Sequence, residues 1–485
     1  MDALSQIAHY WHYLVAALTL LIAVLASGEV VLYKRDSRAA VLWLGVIWLL
    51  PVLGALLYLM LGINRIRRHA RSLRGTLERH TADPNAPACP PESLPNILGA
   101  PGAHLNALAA LVGNVVARPL VSGNRIEPLR NGDVAYPLML EAIRQATRSI
   151  SFMTYIFDND AAGREFVQAF GDAVKRGVAV RVLIDDMGVR YSWPSVVRGL
   201  RQVNVPVARF LPTLVPWHSG VLNLRNHRKI MVVDGQVGFT GGMNIRVGNR
   251  LKINPAHPVQ DLHFRVQGPV LTHLQEAFVD DWFFSTGEAL RGEPWFGIQT
   301  ACGPVIARGI SDGPDEDFDK LRWTLLGALA SAQSSIHIVT PYFLPDPALI
   351  SALNLAAMRG VTVHIILPSV NNLPFVQWAT NAMLWQVLER GCHVWMTPPP
   401  FDHSKLMLVD NLWTLLGSAN WDPRSLRLNF EFNLECYDRD LGLALAQLVR
   451  EKMARARPLT LEQVDNRRLP VRLRDGVARL LTPFL

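Results

Sequence analysis

Two short stretches of this chain set an imidazole and an ammonium two residues apart. They are His227 and Lys229 in HRKIMVVDGQVGFTGGMN, and His403 and Lys405 in HSKLMLVDNLWTLLGSAN. Alternate residues of an extended strand face the same way, so each histidine projects beside its lysine. The residues that follow, Ile230 to Val233 and Leu406 to Val409, are apolar, which puts each pair at the mouth of a strand entering a core. Gly241 and Gly242, or Gly417 and Ser418, then let the backbone approach a ligand closely and return Asn244 and Asn420 beside the pair. Displacement at a phosphodiester needs a nucleophile, an acid for the leaving alcohol, and donors around the non-bridging oxygens. Two histidines fill the first two roles. Two lysines and two asparagines, with Ser418 beside them, fill the third. The lysines supply the positive charge that a metal would, so neither metal nor cofactor is expected.

Each histidine also needs a group to fix its tautomer. Asp261 in QDLHFRVQG and Glu431 in FEFNLECYD stand at equivalent points of the next apolar strand and are read as orienting carboxylates. Asp234 and Asp410 complete the repeated motif and are counted with its catalytic set, although their position just past the strand reads as a corner. His218, His257, His263 and His273 have no counterpart and are read as surface or loop residues; His337 and His364 are read as core histidines. One His-x-Lys on a strand means little. Two copies with the same glycines, asparagine and acid downstream carry the catalytic reading.

Positioning these groups falls to a unit written twice. SISFMTYIF (Ser149–Phe157) and KRGVAVRVLIDD (Lys175–Asp186) return as SIHIVTPYF (Ser335–Phe343) and MRGVTVHIILPS (Met358–Ser369). Each is a strand, a helix ending in Arg-Gly and a second strand, the βαβ pattern of an α/β fold. The separation between matching residues shrinks steadily along the chain, as shorter loops in the second copy produce. The halves are placed at 110–300 and 301–450.

The chain has 485 residues, 50% of them hydrophobic and 18% charged, with a net charge of +8. The apolar excess lies at the N-terminus, in Tyr13–Tyr33 (broken only by Glu29) and Ala39–Gly62. Each run matches the roughly 20 residues that cross a hydrocarbon core as a helix. No basic region precedes the first run, which argues against a cleaved signal. The expectation is a two-helix transmembrane hairpin over 1–64, then a basic and Pro-rich linker over 65–109. Arg65, Arg67, Arg68, Arg71, Arg74 and Arg79 at the exit favour a cytoplasmic body. The final segment, 451–485, mixes arginines with leucines; an amphipathic helix on anionic lipid and a terminal helix packed on the body are both open. Net positive charge suits nucleic acid or acidic lipid, and the apolar runs select lipid. The four cysteines form no pair that points to a disulfide framework or a zinc site.

Both stretches are similar to the phospholipase D superfamily pattern: H-x-K, four residues, D, six residues, then G-[GS]-x-N. The resemblance covers 110–450 and implies one pseudo-symmetric α/β body with a single active site between its halves. It also implies a phosphohistidine intermediate, with the second histidine acting as acid and then as base. LYLMLGINRIRRHA, LNLRNHRKIMVVDG and GSANWDPRSLRLNFEFNLECYD further resemble bacterial cardiolipin synthases. That implies transfer of a phosphatidyl group between two phosphatidylglycerol molecules, in the inner membrane, with release of glycerol. His227 and His403 become nucleophile and acid/base, His227 being preferred as nucleophile. Lys229, Lys405, Asn244 and Asn420 become phosphate ligands, and Asp261 and Glu431 the orienting acids. The loop Asn249–Gln260 departs from the family pattern, which bears on the acceptor. Hydrolysis, another acceptor, a nuclease and a non-catalytic scaffold are the alternatives; the oligomeric state is open.

Overall fold

A computed structural model describes residues 2–34, 37–59, 87–212, 224–314, 318–480 and 482. The chain divides into two compact units, residues 1–69 and 70–485, each described by itself.

In the first unit the helix Asp2–Tyr33 contains one stretch, Tyr10–Tyr33, of 24 residues with mean hydropathy 2.3. The second apolar run departs from expectation. It forms two shorter helices, Ser37–Leu49 and Pro51–Leu57, so the two-helix hairpin is not found in its expected form. The cause is Pro51. It lacks a backbone N–H and disfavours the helical region for the residue before it, and Leu50 sits at φ −135°, ψ 70°. Tyr58 returns against Trp43, ring centroids 5.4 Å apart. Gly54 permits that return, because a Cβ there would lie 2.3 Å from the Val46 carbonyl oxygen. Arg65 to Arg79 lie outside the described residues.

Among the described residues the second unit holds 18 strands, 16 in one sheet and two in a separate short pair. The first half supplies β1 (Val121–Arg130), β2 (Ser149–Thr154), β3 (Ala179–Asp185), β4 (Val207–Phe210), β5 (Arg225–Asn226), β6 (Ile230–Val233), β7 (Val237–Gly241), β8 (Val259–Gln260) and β9 (Leu262–Gln267). The second supplies β10 (Val305–Asp312), β11 (Ser335–Val339), β12 (Thr362–Pro368), β13 (His393–Thr397), β14 (Phe401–Asp402), β15 (Leu406–Val409), β16 (Trp413–Gly417), β17 (Asn429–Tyr437) and β18 (Arg457–Leu459). From the central antiparallel pair β1–β10 the order outward is β9-β7-β6-β2-β3-β4 on one side and β17-β16-β15-β11-β12-β13-β18 on the other. Position by position these sequences correspond, so the duplication is a pseudo-twofold through the middle of one sheet. Along this path β18 alone has no counterpart among the described strands.

Every residue of β6, β15, β16 and β17 is buried, as expected of strands covered on both faces. The covering layer does not respect the order of the chain. Helix Leu105–Val116, which precedes β1, buries Leu105, Leu108, Ala109, Val112 and Val116 in the core of the second half, with Leu321, Leu325 and Leu329. At about 1.5–3 kcal/mol for each large apolar side chain, that stripe ties the start of the body to its far half. Residues 65–86 of the expected linker, like 60–64 at the end of the expected hairpin, are outside the described residues. From Ala88, which bridges to Val121, the chain belongs to the body, with Cys89 and Leu94 in the same core.

Candidate active site

The two histidine segments are each stitched to the opposite half. β5 lies parallel to β17, Phe430 opposite Asn226, and the His227 N–H donates to the Phe430 carbonyl at 2.9 Å. Reciprocally, β14 lies parallel to β8, Asp402 opposite Gln260, and the His403 N–H donates to the Gln260 carbonyl at 2.8 Å. The next residue of each supporting strand is the acid. The pairing is therefore crossed: His227 Nδ1 meets the Glu431 carboxylate at 3.0 and 3.1 Å, and His403 Nδ1 meets Asp261 Oδ2 at 2.9 Å. A carboxylate on Nδ1 fixes that nitrogen as the donor and leaves Nε2 as the reactive position. The two rings stand 6.5 Å apart, nearly perpendicular at 80°.

Each lysine is tethered to its own histidine: Lys229 Nζ donates to the His227 carbonyl at 2.6 Å, and Lys405 Nζ to the His403 carbonyl at 2.5 Å. An ammonium has three donors, so each retains capacity for a ligand. Asn244 Oδ1 accepts from the Ile156 N–H at 3.0 Å, which commits its NH2 as the remaining donor. Asn420 is held differently, its side chain bonded to Asp422.

Burial governs the charges here. It lowers the His227 imidazole and pushes His403 down to about 4, against the pull of the carboxylates. It also brings Lys229 down to about 7 and Lys405 to about 8. Burial alone would raise Glu431, yet His227, Lys229 and the Ser418 hydroxyl together hold it below the ordinary carboxylate range. Burial thus makes the site disfavour its own positive charge. A phosphodiester would restore it.

Three expected residues sit elsewhere. Ser418, expected among the phosphate ligands, is fully buried and its hydroxyl donates to Glu431 Oε2 at 2.5 Å. Its partner in the repeat, Gly242, can carry no side chain, since a Cβ would lie 2.4 Å from Asp261 Oδ1. Asp234 and Asp410 are corners, both at positive φ. Asp234 accepts from the N–H groups of Thr147, Arg148 and Ser149. Asp410 accepts from those of Gln333, Ser334 and Ser335, and from His104 Nε2 at 2.8 Å. His263 and His273, read as surface residues, are buried; His337 and His364, read as core, are partly exposed. His218 lies outside the described residues.

The sequence reading missed two aromatic walls. Tyr155 stands edge-on to His227 at 5.2 Å, with Lys229 Nζ 5.6 Å from its ring centroid, and Tyr342 stands 6.4 Å from His403. Both follow the first strand of their repeat, a tyrosine in each copy that could have been noticed. Behind the pocket the halves differ. Asn226 and Arg228 fill the first half by bonding Asp281 at 2.8 and 2.7 Å. The matching Asp402 is the size of Asn226, but Ser404 is far smaller than Arg228; both face Lys452, and a cavity of about 400 Å³ opens there, lined partly by Leu406, Leu448, Arg455 and Asp261.

Paired, carboxylate-backed histidines between duplicated α/β halves define a phospholipase D-type enzyme, a phosphatidyltransferase. The chain belongs to the cardiolipin synthase family: the family described as "Cardiolipin synthase, PLD-like domain" matches residues 139–254 and 325–456. A second family, "Phospholipase_D-nuclease N-terminal", matches residues 19–62. The cardiolipin synthase of Staphylococcus aureus (strain N315) is 31% identical over 461 residues, covering 93% of this chain and 92% of the relative. That of Geobacillus sp. (strain WCH70) is 30% identical over 484 residues, covering 98% and 95%. Among solved structures, the phosphatidylserine synthase of Haemophilus influenzae Rd KW20 shares the fold, with a TM-score of 0.60 at 17% identity over 78% of this chain and all of that one.

Proposed function

We propose that the chain joins two phosphatidylglycerol molecules into cardiolipin and glycerol. The observation that carries this reading is the crossed support of the two imidazoles, which backs each Nδ1 with the other half's carboxylate and sets the two rings 6.5 Å apart. His227 Nε2 attacks the phosphorus of the first lipid while His403 gives its proton to the departing glycerol oxygen, leaving a phosphatidyl-histidine. The second lipid's glycerol hydroxyl then loses its proton to His403 and attacks the same phosphorus, releasing His227. Burial disfavours the cationic form of His403, so the negative charge of the phosphodiester is what draws a proton onto it. Lys229, Lys405 and Asn244 serve as donors to the non-bridging oxygens, with Asn420 opposite. Glu431 and Asp261 hold the imidazoles and stabilise the cation that forms on each.

The reading extends to location: a bacterial inner membrane, both apolar runs within it, and the body on the cytoplasmic side. A cysteine at Lys34 labelled only from the side opposite the body supports two spans. Labelling from the body's own side would leave one span and a re-entrant second run.

The deciding experiment incubates the full chain in phosphatidylglycerol vesicles and identifies products and the adduct by mass spectrometry. Cardiolipin with equimolar glycerol, and an adduct on His227, is the expected result. An adduct on His403 exchanges the two roles. Phosphatidic acid alone makes the enzyme a hydrolase and overturns the proposal.

A further inference from the structure

The last helix, Leu469–Leu480, has two faces of different character. On the inner face Ala478 is buried with Val376 and Ala379 of the helix Pro374–Asn381. Asp475, fully buried, pairs with Arg467 at 2.5 Å and Arg474 at 2.7 Å, and Arg474 lies 4.5 Å from the Trp378 ring centroid. These contacts fix the rotation of the helix. They leave Leu469, Leu473, Val477 and Leu480 pointing outward, at 61–71% exposure. Spacings of four, four and three keep all four on one stripe, opposite Asp475 and Ala478.

Water is a poor neighbour for such a stripe, and its borders say what would suit it better. Arg472 and Arg479 flank one edge and Arg474 the other, while the single acid of the helix, Asp475, is turned inward. Apolar residues bordered by arginine are the pattern of a helix lying in the headgroup region of an anionic bilayer. The neighbouring helix Pro374–Asn381 adds exposed Phe375, whose ring lies 5.0 Å from Trp378. A second copy fits less well, because a twofold contact would bring like charges together. The helix is also one layer from the chemistry. Ala478 shares its cluster with Leu344, Tyr342 packs against that cluster, and Tyr342 is the wall beside His403.

We propose that this outer stripe is a second membrane contact, separate from the N-terminal apolar segment, which seats the body on anionic phospholipid with Leu469, Leu473, Val477 and Leu480 in the acyl boundary. The helix thereby holds the Tyr342 side of the pocket against the surface in which a lipid diffuses. The inference stands on this surface and not on which lipid is the acceptor.

The test uses the full chain with Cys302→Ser, the other three cysteines being buried. An environment-sensitive fluorophore is attached at Leu473→Cys, at Leu21→Cys in the N-terminal apolar helix, or at Leu443→Cys, which is exposed elsewhere on the body. In phosphatidylglycerol–phosphatidylcholine vesicles carrying a quencher on the acyl chains, the probe at 473 should shift to the blue and lose intensity as at 21. The probe at 443 should stay bright. In phosphatidylcholine alone, or with Arg472→Glu and Arg479→Glu, quenching at 473 should fall while that at 21 holds. A probe at 473 as bright as at 443 overturns the proposal, as does a Leu473→Cys disulfide dimer shielded from lipid. These readings need no turnover, so their failure is distinct from failure of the proposed reaction.

Discussion

Replacing Glu431 by glutamine isolates the charge that supports His227. The carboxylate accepts from His227 Nδ1, from the Ser418 and Ser425 hydroxyls and from Asn429 Nδ2. A glutamine with its oxygen in the Oε1 position keeps His227, Ser425 and Asn429 as donors, and its NH2 can donate to the Ser418 hydroxyl in turn. Shape and bonding survive; the negative charge does not. When His227 takes the phosphatidyl group its ring becomes cationic, with the lost charge about 4 Å away. At an effective dielectric of ~20 that attraction is about 4 kcal/mol. Glu431→Gln should therefore lower the rate of cardiolipin formation by about 10³-fold, at roughly 1.4 kcal/mol per decade. The assay is product formation from phosphatidylglycerol vesicles, with Tm measured in parallel. Crossing is tested by a double-mutant cycle on stability: Glu431→Gln should couple with His227→Ala and simply add to His403→Ala. A folded Glu431→Gln enzyme within about tenfold of the parent, or coupling to His403 instead, would refute the reasoning.

Lys229 at about 7 and Lys405 at about 8 are cationic below those values and neutral above them, so kcat/KM should decline from pH 7 to 8, as a pH–rate profile of the free enzyme reads directly. Asp410→Ala should cost on the order of 2–4 kcal/mol of stability by stranding the N–H groups of Gln333, Ser334 and Ser335, while KM of the surviving enzyme stays unchanged. Because those N–H groups hold the Asp410 carboxyl below its ordinary value, its stabilisation is complete above about pH 4 and fades as the pH falls through the lowered value; thermal melts across that range check it. Gly242→Ser should not mimic Ser418: its Cβ would press on Asp261 at 2.4 Å and tilt His403, lowering turnover by about tenfold or more, whereas Ser418→Gly, which removes one donor from Glu431, should lower it less.

The repeat made most of the site legible. His227, Lys229, Asn244, Asp261 and their counterparts recur in one order, and the structure brings both sets to one place. The crossing was not legible, because it depends on two parallel strand pairs of two residues each, too short to leave a pattern of their own. Ser418 is ambiguous in the sequence because a hydroxyl after a glycine reads equally as a ligand donor or as a support, and only the position of Glu431 decides. The second apolar run was long enough by composition, but Pro51 within it outweighed length. The buried His263 and His273 had no repeat partner, and a single sequence offers nothing else to mark them.

The crossed stitching also makes each half an obligate partner of the other. A lone copy of the repeat would present its histidine with no strand to hang on and no acid behind it, so a one-copy ancestor would have worked only as a pair. In the fused chain neither copy can decay into a passive remnant, since an acid lost from one disarms the histidine of the other. Divergence has room only behind the pocket, where Arg228 in one half answers to Ser404 in the other. There the two copies have already parted, one filled solid and one left hollow.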